Sequence, residues 1–260
     1  MILDIKNLSF GYDDNLVLDG ISFSVEKPGV IAVVGPNGVG KSTLFKLMLG
    51  LLKPNSGNIE THGVPISSMS RKQLARNMAY IPQSHFPTYN YSVLNTVIMG
   101  MVSEINMFST PSKEHIESAE RALAELGIEH LSSRGYAQIS GGERQLTLIA
   151  RALVQNAKIL IMDEPTANLD FGNQLHVMEK VRNLSREGYT IIVSLHNPQH
   201  AFLYSDESIV LYEKKLLAYG KTDVALKRSV LESIYNIGIN LIEVDNDGEP
   251  ASVPMPKTRR

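Results

Sequence analysis

Gly35-Pro36-Asn37-Gly38-Val39-Gly40-Lys41-Ser42-Thr43 follows an apolar run, Val30-Ile31-Ala32-Val33-Val34, and leads into a helix-forming run, Leu44-Phe45-Lys46-Leu47-Met48. This is the spacing G-x-x-x-x-G-K-[ST] in its strand-to-helix context. The glycines let successive backbone N–H groups turn inward, and the helix aims its positive dipole end at the same point, which makes a phosphate cradle. A nucleoside triphosphate is the expected ligand. Lys41 would reach the β- and γ-phosphates, Ser42 would ligate Mg²⁺ and Thr43 would steady the α-phosphate. The bland reading, a glycine turn and nothing more, leaves the Lys-Ser-Thr unexplained. Kinases, GTPases, helicases and transport ATPases all remain open.

A second segment narrows the choice. Ile139-Ser140-Gly141-Gly142-Glu143-Arg144-Gln145 runs into the amphipathic stretch Leu146 to Leu153, after which Lys158-Ile159-Leu160-Ile161-Met162-Asp163-Glu164-Pro165 is an apolar strand ending in two carboxylates. Ser140 and Glu143 satisfy the capping box S-x-x-E, and a capped helix start behind glycines is also an anion site. In this order the segments resemble the ATP-binding cassette (ABC) family, the first being similar to its signature motif and the second to its Walker B strand. Ile139 and Glu143 stand where that family usually has Leu and Gln.

The resemblance assigns further positions. Phe10-Gly11-Tyr12 resembles the A-loop, whose aromatic ring, here Tyr12, stacks on adenine; the alternative for an aromatic at a strand end is core. Gln83, in Tyr80-Ile81-Pro82-Gln83, resembles the Q-loop glutamine that touches Mg²⁺ and the attacking water. Ala167-Asn168-Leu169-Asp170 is similar to the D-loop, placing Asp170 at the nucleotide; Asp170 also reads as the N-cap of a helix through Leu175, Met178, Val181 and Leu184. His196, after the strand Thr190 to Leu195, resembles the switch histidine. The implied mechanism is hydrolysis of ATP, with Lys41 and Mg²⁺ on Ser42, Gln83 and Asp163 neutralising phosphate charge. Glu164 is expected to point opposite to Asp163 on an extended chain and to act as general base, and His196 to hold the γ-phosphate and water. The family also implies a second copy: Ser140, Gly141 and Gly142 of one chain complete the ATP site on Gly35 to Thr43 of the other.

The chain has 260 residues, of which 43% are hydrophobic and 20% charged, enough to bury a full core. A net charge of −2 gives no pull toward nucleic acid, and the absence of cysteine excludes disulfides, thiolate metal sites and cysteine nucleophiles. No signal peptide is evident, and no apolar run approaches the ~18 residues of a membrane span.

The expected architecture is α/β: a P-loop NTPase core with a mostly parallel sheet, an N-terminal antiparallel β subdomain and an inserted α-helical subdomain. Leu16, Leu18, Ile21, Phe23 and Val25 supply the antiparallel pattern, and apolar runs at 30–34, 158–163 and 190–195 the parallel one. Helical spacing of Ile116, Ala119, Leu123 and Leu126, with Thr110-Pro111-Ser112 before it and Gly127 after it, marks the insertion, about 84–155. The ATP-binding domain is set at 1–225 and a C-terminal extension at 226–260. Its end, Pro250 to Arg260, reads as disordered.

A free-standing cassette leans toward the motor subunit of an importer, held at the cytoplasmic face of a bacterial or archaeal inner membrane by transmembrane permease subunits, with a separate substrate-binding protein choosing the cargo. Leu169-Asp170-Phe171-Gly172-Asn173-Gln174, the stretch Ser194 to Asp206, and Leu217 to Thr222 are similar to the subgroup importing iron–siderophore, haem, cobalamin and other metal chelates. That subgroup usually has Asp where this chain has Asn197, and Gly near Lys214. Import of an amino acid or phosphate, or a non-transport ATPase of the iron–sulfur assembly type, is the alternative. The aromatic stretch Ser84 to Val93, with Phe86, Tyr89 and Tyr91, continuing through Leu94 to Met101, is expected to be the permease socket.

Overall fold

A computed structural model describes residues 1–83, 89–102, 110–246 and 249–257. In chain order the elements are β1 (Leu3–Tyr12), β2 (Asn15–Val25), β3 (Gly29–Val34), α1 (Lys41–Met48), β4 (Ser56–Thr61), β5 (Val64–Pro65), α2 (Arg71–Asn77), β6 (Met78–Ile81), α3 (Val93–Ile98), α4 (Lys113–Leu126) and α5 (Gly141–Leu153). They continue with β7 (Ile159–Met162), α6 (Phe171–Arg186), β8 (Thr190–Ser194), α7 (Pro198–Tyr204), β9 (Glu207–Tyr212), β10 (Lys215–Lys221), α8 (Thr222–Ala225), α9 (Arg228–Tyr235), β11 (Ile239–Asn246) and β12 (Glu249–Pro256).

An antiparallel sheet in the order β2-β1-β4-β5 lies beside a six-stranded sheet in the order β10-β9-β3-β8-β7-β6, parallel throughout except for β9 with β10. The alternation in β2 slips once: Leu18 and Ile21, three apart, both point inward, because the pairing with β1 shifts register there and Gly20 takes φ 63°. Leu16, expected inside, is exposed at the hairpin end of β2, where the register with β1 shifts again between Leu18 and Leu16.

β3 separates two cores. Ile31 and Val33 pack with Leu44, Phe45 and the antiparallel sheet, whereas Val30, Ala32 and Val34 join the core made with α5 and α6. A strand buried on both faces has no polar side, which is why this one reads as a continuous apolar run.

The helical insertion is built as its sequence signals indicate. Ser112 caps α4 by accepting from the His115 N–H, Gly127 ends it at φ 76°, and Ala119, Ala122, Leu123 and Leu126 are buried. The segment leaving Gln83 is tied to the segment entering the glycine-rich motif: the N–H groups of Val93 and Tyr136 donate to the carbonyls of Arg134 and Tyr91, both at 2.9 Å, and Asn90 Oδ1 accepts from Ala137 N–H at 2.9 Å. Val93, Val97, Ile98 and Met101 are buried here, so the second half of the expected socket is core. Tyr89 and Tyr91 are 68% and 42% exposed, with rings 6.0 Å apart, and Phe86 lies outside the described residues.

Disorder is expected from Pro250 to Arg260; up to Pro256 the tail instead forms a strand, and 258–260 lie outside the described residues. Residues 249–256 form β12, paired with β11 from Ile239↔Pro256 to Asn246↔Glu249. Prolines are tolerated in a two-stranded ribbon because half of its backbone N–H groups face outward. Ile239 is buried and Leu241 packs on the main core, anchoring the hairpin. Among the described residues no helix is long and apolar enough to cross a membrane.

Candidate functional site

The glycine-rich loop forms as the sequence spacing demands. Gly40 precedes α1 at φ 110°, a conformation that disfavours side chains, and a Cβ there would meet Leu18 Cδ2 at 2.8 Å. Beside it lies a cavity of about 280 Å³ lined by Asn37, Gly38, Gly40, Lys41, Ser42, Thr43, Glu164 and His196. Lys41 is buried, donating to the carbonyls of Gly35 at 2.8 Å and Pro36 at 3.1 Å. Burial pulls its pKa below the usual lysine value, and the nearby Glu164 and Asp163 partly offset this. A phosphate chain in the cavity would offset it further.

Both carboxylates of the Walker B segment are at the site, but not by strand alternation. β7 ends at Met162, and Glu164 adopts φ 48°, so a left-handed turn rather than extended chain separates the two side chains. Asp163 turns inward. Its Oδ1 accepts from Ser194 Oγ at 2.8 Å and its Oδ2 lies 3.5 Å from the Tyr80 hydroxyl. Burial, with Asp163 beside it, pushes the Tyr80 phenol up to about 12, so it remains a donor. Glu164 faces the cavity: Gln83 Nε2 donates to its Oε2 at 2.9 Å, and His196 Nε2 is 2.6 Å from its Oε1. Gln83, Glu164 and His196, from three separate segments, thus converge on one carboxylate.

The donor set fits Mg²⁺. Ser42 hydroxyl, Gln83 amide and Asp163 carboxylate offer hard oxygens, and Mg²⁺ is commonly held by one or two carboxylates plus substrate phosphate rather than by a protein cage. Among the described residues no cluster of three or more His, Asp or Glu side chains forms such a cage.

Other predicted residues lie elsewhere. Ser140, Gly141 and Gly142 begin α5 and do not line the cavity. Ile139 is buried as an apolar anchor. Glu143 turns back to accept from the Ser140 N–H at 2.7 Å, a bond that holds its carboxyl below the usual range and spends its charge on the helix cap. Asp170 caps α6, accepting from Asn173 N–H at 2.9 Å and Asn173 Nδ2 at 2.7 Å. Tyr12 ends β1 with its ring exposed, edge-on to buried Phe10 at 4.9 Å. Asn197 caps α7 through Gln199 N–H at 2.9 Å, a role that Asn and Asp share. Glu213 and Lys214, at φ 46° and 71°, make the β9–β10 turn that glycine usually serves.

Three contributors escaped the sequence reading. Ser194 bonds Asp163, Asn173 lies against Gly142, and the Tyr235 hydroxyl donates to the His196 carbonyl at 3.1 Å. For Ser194 the available signal was a polar residue inside an apolar strand.

The ABC transporter family profile matches residues 18–167, more than half of the chain. The chain belongs to the ABC transporter family. As an ABC ATPase subunit it binds ATP. A Haemophilus influenzae ABC transporter ATP-binding protein of uncharacterized role is 40% identical over 93% of this chain and 92% of its own length. A Helicobacter pylori ATP-binding protein named for iron chelatin transport is 36% identical over 95% and 97%. A solved structure described as a metal-chelate type ABC transporter in an inward-facing conformation superposes with a TM-score of 0.89 at 29% identity, covering 99% and 98%.

Proposed function

We propose that this ABC ATPase subunit drives import of a metal chelate, an iron–siderophore, haem or cobalamin type of cargo, from the cytoplasmic face of the membrane. The observation that carries the reading is the match, over 95% of this chain and 97% of the relative's own length, to a protein named for iron chelatin transport. The glycine-rich loop, with Lys41, Ser42 and Thr43, would hold the phosphates of ATP in the cavity that Glu164 faces, and Ser42, Gln83 and Asp163 would hold Mg²⁺, which would neutralise phosphate charge. Glu164 takes the proton of the attacking water, with Gln83 and His196 fixing its carboxylate, and Tyr12 stacks on adenine. Ser140 to Gly142 lie outside the cavity of their own chain, which supports a second copy supplying them across an ATP-bound dimer, with Asp170 beside them. A groove of about 920 Å³ lined by Leu49, Leu51, Leu52, Ile66, Leu74 and Tyr80, together with exposed Tyr89 and Tyr91, is the surface for the permease.

The test is reconstitution of the chain with its permease and binding protein in vesicles. ATP-dependent uptake of a ferric chelate is expected, and uptake of an amino acid or phosphate instead refutes the cargo class. Glu164→Gln keeps size but not basicity, so ATP binding should persist and trap a dimer while hydrolysis falls at least ~100-fold. Near-normal turnover would remove Glu164 from the role.

A further inference from the structure

Ser194 ends β8 with its side chain fully buried, 0% exposed, in a strand otherwise made of Thr190, Ile191, Ile192 and Val193. A hydroxyl has one proton to donate and lone pairs to accept with. Here both capacities are committed to one pair of residues: Ser194 Oγ donates to Asp163 Oδ1 at 2.8 Å and accepts from the Glu164 N–H at 2.8 Å. The acceptor role matters because Glu164 sits at φ 48°, where a residue other than glycine persists only when its surroundings hold it. The donor role matters because Asp163 is buried, and its second oxygen is approached by Tyr80 from the far side. One side chain thus sets the orientation of the carboxylate and the backbone turn that aims its neighbour.

We infer that Ser194 is a positioning residue for the hydrolytic centre: it orients the Asp163 carboxylate toward Mg²⁺ and locks the turn that presents Glu164 to Gln83 and His196. This rests on the assignment of Asp163 to the metal and Glu164 to the base. Partners of metal ligands have effects of this kind because a ligand free to rotate must be ordered again each time the metal binds. Ser194 spends its bonds on Asp163 and the Glu164 N–H, whereas Lys41 is held by the Gly35 and Pro36 carbonyls, so nucleotide affinity without metal should not depend on the Ser194 hydroxyl.

The experiment measures, on the full-length chain, affinity for a fluorescent ATP analogue in EDTA and across a Mg²⁺ titration, beside melting temperature and turnover. Ser194→Ala should leave the EDTA affinity unchanged, raise the Mg²⁺ midpoint about 10-fold or more and lower kcat by a similar factor with little change in KM for ATP. Ser194→Thr, which keeps the hydroxyl and suits a strand, should restore the midpoint. If Ser194→Ala melts too low to assay, Ser194→Cys, with a weak S–H donor of similar size, should fall between them. An unmoved Mg²⁺ midpoint in Ser194→Ala, or equal shifts in the Ala and Thr variants at comparable stability, overturns the inference. Asp163→Asn separates the two levels. If it shifts the midpoint and Ser194→Ala does not, only the role of Ser194 fails; if it shifts nothing, the metal assignment fails and the inference with it.

Discussion

Gly142 lies against its own chain before it meets any partner. A Cβ built on it would sit 2.5 Å from Asn173 Oδ1, 2.8 Å from its Cγ and 3.1 Å from its Cβ. Asn173 cannot swing away freely, since its Nδ2 donates to Asp170 Oδ2 at 2.7 Å. Gly142→Ala must therefore break that bond, at about 0.5–1.5 kcal/mol, and strain the contact by a further ~1–3 kcal/mol, against a helix-propensity gain of up to ~1 kcal/mol. The net destabilisation lies between about 0.5 and 4.5 kcal/mol, with a central value of ~2 kcal/mol, or a fall of roughly 4–8 °C in Tm for a chain of this size. The assay is urea and thermal unfolding of the nucleotide-free chain for Gly142→Ala, Asn173→Ala and the double variant. Asn173→Ala removes Oδ1 and Cγ, so in that background Gly142→Ala should be close to neutral, giving a coupling energy of ~1 kcal/mol or more. Equal costs in both backgrounds would refute the contact. If the coupling is present, a variant such as Gly142→Asp, whose charge would face the phosphates held by a second copy, also loses stability within its own chain, and that cost must be subtracted before turnover is compared.

Three further outcomes are expected. Tyr235→Phe removes the donor to the His196 carbonyl and keeps the partly buried ring, so turnover should fall several-fold with little change in Tm; an unchanged rate would confine Tyr235 to packing. His200 is 3% exposed, and burial holds its pKa below the usual histidine value. The unfolded chain therefore binds this proton more readily, and stability should drop as pH falls through about 6.5 toward 5; His200→Gln should flatten that slope, and an unaltered slope would refute it. Tyr89→Ala and Tyr91→Ala, both at exposed positions, should weaken co-purification with the permease while leaving Tm within about 1 °C, the usual range for surface changes. Loss of stability with the permease retained would mark them as structural.

The glycine-rich loop and the capped start of α5 were legible because their parts are local. From Gly35 to Thr43, and from Ser140 to Glu143, the residues that shape the backbone are those that cap and coordinate, so spacing alone carries the geometry. Parallel strands announced themselves as apolar runs for a related reason: each is buried on both faces. What depended on pairing between distant segments was not legible. The meeting of Asp163 with Ser194 is set by β7 lying beside β8, and nothing in either segment alone names the other. The divergence of Asp163 and Glu164 was assigned to strand alternation because positive φ at a glutamate leaves no compositional trace. The tail misled for the opposite reason: prolines and polar residues mark disorder in isolation, but Ile239 and Leu241 had a core to dock on.

The bonds joining residues 90–93 to 134–137 have a mechanical meaning. Two backbone segments paired side by side slide only if several bonds break together, so a push on Tyr89 or Tyr91 is delivered toward the start of α5 as displacement and is not dissipated as local bending. These bonds brace the path from the exposed tyrosines as far as Ala137, three residues short of Ser140. A small movement of whatever grips those rings is therefore carried toward the end of α5 that a second copy would need.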